Sequence, residues 1–161
     1  MKNNKILLSM ALVQLANLYR SELLILDFLK VLQHYASSDD LKWQIFGQRH
    51  LIKARNKRLR AILSSFDSYQ NTAASCGEIR GILQHGLNMI NQHENDEDKD
   101  LLVIHALLLV HYYMRSAYNI VGSYFLNYGC GMEAKLMQKY AQEEETAIEA
   151  DMLVHQTILL A

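Results

Sequence analysis

Residues 101–127 read LLVIHALLLVHYYMRSAYNIVGSYFLN, and the fold turns on how this run is placed. It has no proline and almost no charge, so its first half resembles a membrane span. His105, His111 and Arg115 interrupt it, whereas a span needs about 20 mostly apolar residues free of charge. A helix apolar nearly all round is otherwise a buried one. The run is therefore expected to be a central helix wrapped by others, with His111 and Arg115 inside the protein.

The rest of the chain supplies the wrapping. At 161 residues and 18.6 kDa it is long enough for one domain with a full core, expected to span 1–161. The complete lack of proline and only seven glycines favour helices over a turn-rich β fold. A formal charge of -1 and a pI near 6.6 give no electrostatic reason to expect nucleic acid or an anionic membrane as partner. The basic residues Arg49, His50, Lys53, Lys57, Arg58 and Arg60 read as the solvated face of a helix. Cys76 and Cys130 are too few for a disulfide scaffold and fit a reducing compartment. Lys2 and Lys5 before an apolar run imitate a signal peptide, but no small-residue cleavage site follows. A cytoplasmic location is expected.

Helical stripes can be followed in order. The first helix, about Asn4 to Tyr35, puts Leu15, Leu18, Glu22, Ile25, Leu29 and Leu32 on one face at alternating spacings of three and four. Ser37-Ser38-Asp39-Asp40 closes it and caps the next. The second, about Leu41 to Ser68, carries Ile45, Gln48, Ile52, Arg55, Leu59, Ile62 and Phe66 inward. After a break at Asn71–Ser75, a shorter helix runs from about Cys76 to Gln92, and the acidic turn NQHENDEDKD leads into the central helix. Gly129 and Gly131 end that helix. The last helix begins near Glu133, with Leu136, Tyr140, Glu143, Ala147, Ala150, Val154 and Thr157 expected to face inward.

Two helical hairpins joined by a long crossover make the second and third long helices parallel. The predicted fold is all-α, a ferritin-like four-helix bundle whose long crossover carries a short fifth helix. An up-down bundle and an unrelated five-helix array are the alternatives.

The stripes point Glu22, Gln48, His111 and Glu143 at the middle of the bundle, with Arg55 and Arg115 a turn away. Each alone has an ordinary structural explanation, such as a satisfied core histidine. Together they need a metal or an internal ion network, because an unpaired buried charge costs several kcal/mol. A dimetal carboxylate site asks for about four carboxylates and two histidines with Glu-x-x-His pairs, and no Glu-x-x-His occurs here. Two readings stay open: a single weak metal through Glu22, His111 and Glu143, or a network in which Arg55 or Arg115 replaces the cation. Arg115, four residues after His111, is expected to reach Glu22 or Glu143.

LANLYRSELLIL around Glu22, CGEIRGILQHG from Cys76, DLLVIHALLLVHYYMRSAY from Asp100 and LMQKYAQEEETA from Leu136 resemble, in order and separation, the ferritin-like DUF892 family of YciE/YciF-type stress-associated bacterial proteins. The resemblance implies a dinuclear metal site, iron or manganese by ligand type. Glu22 matches its first glutamate, and Glu143 with Glu144 matches its last acidic pair. Its second-helix histidine and glutamate fall on Gln48 and Leu51, and both third-helix carboxylates are gone at His111 and Met114. His50 is near in sequence but faces away from Gln48. A metal would thus rest on Glu22, His111, Glu143 and Glu144.

No glycine-rich phosphate loop, zinc-finger spacing, His-Glu-x-x-His or calcium loop is present, and no serine sits on a nucleophile elbow. Cys130 between two glycines is a minor redox candidate. The expectation is a non-enzymatic ferritin-like protein with a degenerate metal site and no cofactor, stress-associated and acting through self- or protein association. The competing class is an iron-handling protein or di-iron-type oxidase with a reduced ligand set. Tyrosines at 112, 113, 118, 124 and 128 exceed what one inward face needs, so some are expected at a dimer contact.

Overall fold

The computed structural model describes residues 2–66, 76–93 and 95–160, the side chains of 2–4, 96 and 97 excepted. Five helices follow one another: α1 Lys2–Tyr35, α2 Asp39–Ser65, α3 Gly77–Asn91, α4 Asp96–Tyr128 and α5 Gly131–Leu160. The described residues contain no strand. The break at Asn71–Ser75 and the expected helix end at Ser68 lie outside them. α4 starts earlier than the apolar run suggests, taking in the acidic residues before Leu101.

Local chemistry sets the helix ends. Ser38 is extended at φ -76° and ψ 140°, and its hydroxyl accepts the Leu41 N–H at 3.2 Å to cap α2. The Asp100 carboxylate accepts the N–H groups of Ser37 at 2.5 Å and Ser38 at 2.9 Å. One buried carboxylate in α4 therefore ties down the turn between α1 and α2. At the other end of α4, Gly129 takes φ 100°, and the Cys130 N–H reaches back to the Phe125 carbonyl at 2.9 Å. A left-handed residue there is what closes a helix in this way.

The cross-links give the topology. Asp100 meets Ser37 near one end and Tyr118 meets Glu22 further along, so α1 and α4 run antiparallel. Asn56 Nδ2 donates to the Tyr19 carbonyl at 2.9 Å on the returning α2. Gln44–Asp151 and Arg55–Glu144 make α5 antiparallel to α2, which leaves α2 and α4 parallel. This is the ferritin-like arrangement, with α3 laid on α4 along the crossover. Gly86 permits that approach, since a Cβ there would lie 3.0 Å from the Ala106 Cβ.

The core follows the α1 stripe closely, with Leu15, Leu18, Ile25, Leu29 and Leu32 all buried. Each such side chain contributes roughly 1.5–3 kcal/mol. Residues Asp98–Tyr128 have the length and apolarity of a membrane span, and α4 packs them against α1, α3 and α5. Its inward row is Val103, Leu107, Val110, His111, Met114, Tyr118, Val121 and Phe125.

Candidate functional site

Each long helix turns an ionisable residue toward the bundle interior. Glu22 of α1, Arg55 of α2, His111 of α4 and Glu144 of α5 are 0%, 3%, 4% and 2% exposed. The guanidinium of Arg55 is the hub. Its Nε lies 3.2 Å from Glu22 Oε1, Nη2 lies 2.5 Å from Glu144 Oε1, and Nη1 lies 3.7 Å from Glu143 Oε2. The rings of Tyr118 and Tyr140 flank it, with centroids 5.3 and 5.7 Å from the guanidinium carbon. The Tyr118 hydroxyl donates to Glu22 Oε1, and the Asn56 amide donates to Oε2 at 3.4 Å.

His111 links this cluster to a second one. Its Nδ1 lies 2.5 Å from Glu144 Oε2, and Nε2, across the ring, faces Asp151 Oδ2 at 3.5 Å. Asp151 is fully buried, and its other oxygen accepts the Gln44 amide. Gln48 also faces the Asp151 carboxylate.

The electrostatics differ between the carboxylates. Burial raises Glu22 to about 7, against the opposing pull of Arg55, Tyr118 and Asn56. Burial also pushes Glu144 up, but the hydrogen bond from His111 and the charge of Arg55 outweigh it and hold it below the ordinary range. Asp151 rises to about 6, first through burial and also through Glu144, while His111 and Gln48 pull it down. Burial, then the charge of Glu22, raises the Tyr118 phenol well above its usual value. Two deeply buried carboxylates, Glu22 and Glu144, thus share one guanidinium.

The sequence-named residues are partly gathered here. Glu22, Arg55 and His111 meet in the interior, and Gln48 lies beside Asp151. Glu143 sits half-buried at the margin, between Arg55 and Lys139 Nζ at 3.8 Å, and its neighbour Glu144 takes the inward place. Arg115 is a correction. It pairs with Glu145, both side chains 35% exposed, and stacks over Tyr112 at 5.3 Å. The inward row of α4 runs through Met114 and Tyr118, and Arg115 stands one position off it, on the α4–α5 seam. The inward row of α5 is likewise Met137, Tyr140, Ala141, Glu144, Ile148 and Asp151, one residue out of step with the expected stripe. Sequence reading missed Asn56, Asp151 and the inward role of Tyr118. The signal for the last two was a spacing of seven residues, from Glu144 to Asp151 and from His111 to Tyr118, which keeps one helix face.

A dimetal centre does not fit these residues. The Arg55 guanidinium fills the gap between Glu22 and Glu144, where bridging carboxylates would have to meet dications. Leu51 is 42% exposed, and Met114 offers no carboxylate. Glu22, Glu143 and Glu144 accordingly surround a cation that the chain itself provides, and His111 is joined to it through Glu144. Among the described residues, no three His, Cys, Asp or Glu side chains are grouped to hold a metal.

Comparison with known proteins accords with this architecture. A family model described as "Domain of unknown function (DUF892)" matches residues 10–157. The E. coli stress protein YciF is similar in structure at a TM-score of 0.87 and 17% identity, over 95% of this chain and 96% of that one. YcfI of Rhodopseudomonas palustris, named provisionally as a structural protein, aligns at a TM-score of 0.81 and 16% identity, over 90% of this chain and 92% of that one. No curated protein matches the sequence.

Proposed function

We propose that this chain, which belongs to the DUF892 family, is a non-enzymatic ferritin-like bundle with a degenerate metal site, acting by association with itself or another protein. The observation that supports this reading is Arg55, 3% exposed and in reach of both Glu22 and Glu144. A guanidinium is permanently charged and offers a fixed fork of donors, so it neutralises two carboxylates without redox chemistry. An interior closed in this way leaves the surface to act. Trp43, 70% exposed, and Phe46, 40% exposed, lie edge to face on the outer side of α2 and suit an association surface. A stress-associated role extends to this chain what is said of YciF, whose fold it shares.

The alternative is an iron-handling protein or di-iron-type oxidase. Anaerobic addition of Fe²⁺ to the whole chain, followed by oxygen, separates the two. The proposal expects no oxygen uptake beyond that of iron alone. Two bound irons per chain with rapid oxygen consumption would favour the oxidase.

A further inference from the structure

We propose that the cleft between the C-terminal end of α2 and the N-terminal end of α5 binds a medium-chain carboxylate. Its anionic head would lie between Arg58 and Lys139, and its alkyl tail along Ile62 and Leu136. The inference goes beyond the function proposed above and uses none of the interior cluster. The backbones of α2 and α5 hardly approach each other, and Gln44–Asp151 and Arg55–Glu144 bridge them. Past the second bridge the seam opens into a cleft of about 520 Å³. Small-molecule sites are of this size, roughly 300–1,000 Å³, with an apolar lining and a few placed polar groups.

The lining changes character along the cleft. Because α2 and α5 are antiparallel, the Arg55–Glu144 pairing brings Arg58 level with Lys139, Ile62 with Leu136, and the end of α2 with Met132. Ile62 and Leu136 are half-buried and rest on the core, so the floor between them is apolar and fixed. Met132, 80% exposed, stands at the far end, where its flexible thioether suits an alkyl chain. Arg58, Lys135 and Lys139 line the cleft against one carboxylate, Glu133, which lies beside Met132 and away from the proposed head. Among the described residues, Arg58 and Lys135 have no carboxylate partner. Lys139 has Glu143 at 3.8 Å, but its side chain is 67% exposed, and such a pair is weak enough to share. The free guanidinium fork of Arg58 matches the two oxygens of a carboxylate. A helix about 10–12 Å across would overfill the cleft, whereas a single alkyl chain fits it.

Calorimetric titration of the full chain with sodium decanoate, kept below its micelle concentration at neutral pH, tests the site. One decanoate should bind per chain, more weakly as salt is added. Decanol and decyltrimethylammonium, which lack the anionic head, should bind roughly tenfold or more weakly. Acetate, which lacks the tail, should show no saturable binding. Arg58→Glu reverses the charge at the head and should weaken decanoate by about tenfold or more. Ala61→Trp fills the cleft and should abolish binding, while Lys53→Glu, an exposed cation outside the lining, should leave it unchanged. Arg58 and Ala61 are both exposed, so neither variant disturbs the core. No saturable binding by the folded chain, or equal affinity for the alcohol and the ammonium, overturns the site. Binding indifferent to both Arg58→Glu and Ala61→Trp also overturns it, placing the ligand on another apolar face such as Trp43 and Phe46. Binding lost at concentrations where light scattering shows a dimer would give the cleft to a second copy of the chain instead.

Discussion

Arg55 Nη2 lies 2.5 Å from Glu144 Oε1, joining α2 to α5, two helices whose backbones hardly approach each other. The seam between them is held by polar reach, with Gln44 to Asp151 as a second bridge. A cation carried on the second helix thus stands between carboxylates of the first and last helices.

Arg55→Lys should be far from conservative. A lysine ammonium is a point charge and cannot hydrogen-bond Glu144 while standing within ion-pair distance of Glu22 as the planar guanidinium does. Urea unfolding should show a loss of about 2 kcal/mol, the scale of a charged hydrogen bond left unmade. Wild-type stability in the lysine variant would show that the fork is irrelevant.

Arg115→Met should do little. Arg115 and Glu145 are both 35% exposed, and such pairs are worth at most about 1 kcal/mol. Thermal and urea unfolding should place the variant within about 0.5 kcal/mol of wild type. A cost near 3 kcal/mol, the scale of a broken buried pair, would put the side chain back in the interior.

Glu22 should make the chain less stable as pH rises. It titrates at about 7 in the folded chain against an ordinary 4.5, because burial outweighs Arg55, Tyr118 and Asn56, with Glu144 adding to the rise. A folded pKa above the unfolded one favours the protonated form. Its contribution is complete below about 4.5 and is lost as pH climbs through about 7. Stability of the wild type relative to Glu22→Gln should fall across that window by up to about 3 kcal/mol, at roughly 1.4 kcal/mol per pKa unit. Parallel pH–stability curves for the two proteins would remove Glu22 as the titrating group.

Gly86→Ala and Gly47→Ala should have opposite signs. At Gly86 a new Cβ meets the Ala106 Cβ at 3.0 Å and Phe28 Cζ at 3.3 Å, so α3 must move off α4. The cost of such overpacking is about 1–3 kcal/mol, more than the helix propensity gained. At Gly47 nothing lies within 4 Å, and alanine should stabilise α2 by about 0.5–1 kcal/mol. Thermal unfolding of the two variants reads both signs.

The legibility of the sequence varied from helix to helix for physical reasons. On α1 the row from Leu15 to Leu32 contrasts with polar neighbours, so periodicity alone placed Glu22, which is 0% exposed. On α2 the row through Ile45, Ile52, Arg55 and Leu59 was equally plain, and these four are buried. α4 is apolar nearly all round and carries little directional signal, so Arg115 could not be told from an inward residue. On α5 the run Glu143-Glu144-Glu145 offers three equivalent carboxylates, and a register one residue off exchanged Glu143 for Glu144 and hid Asp151. Five closely spaced tyrosines gave no hint which one is buried. Tyr118 is 0% exposed against Glu22, and Tyr112 is 45% exposed.

The central claim is that Arg55 supplies the positive charge its carboxylates require, and a double-mutant cycle tests it most directly. Arg55→Met should cost about 3–5 kcal/mol in urea unfolding, since it leaves Glu22 and Glu144 buried without a cation. In a Glu22→Gln, Glu144→Gln background the same substitution should cost at least about 2 kcal/mol less, because neutral amides no longer need the charge. A cost that is the same in both backgrounds would mean that Arg55 contributes packing alone, and would contradict the account.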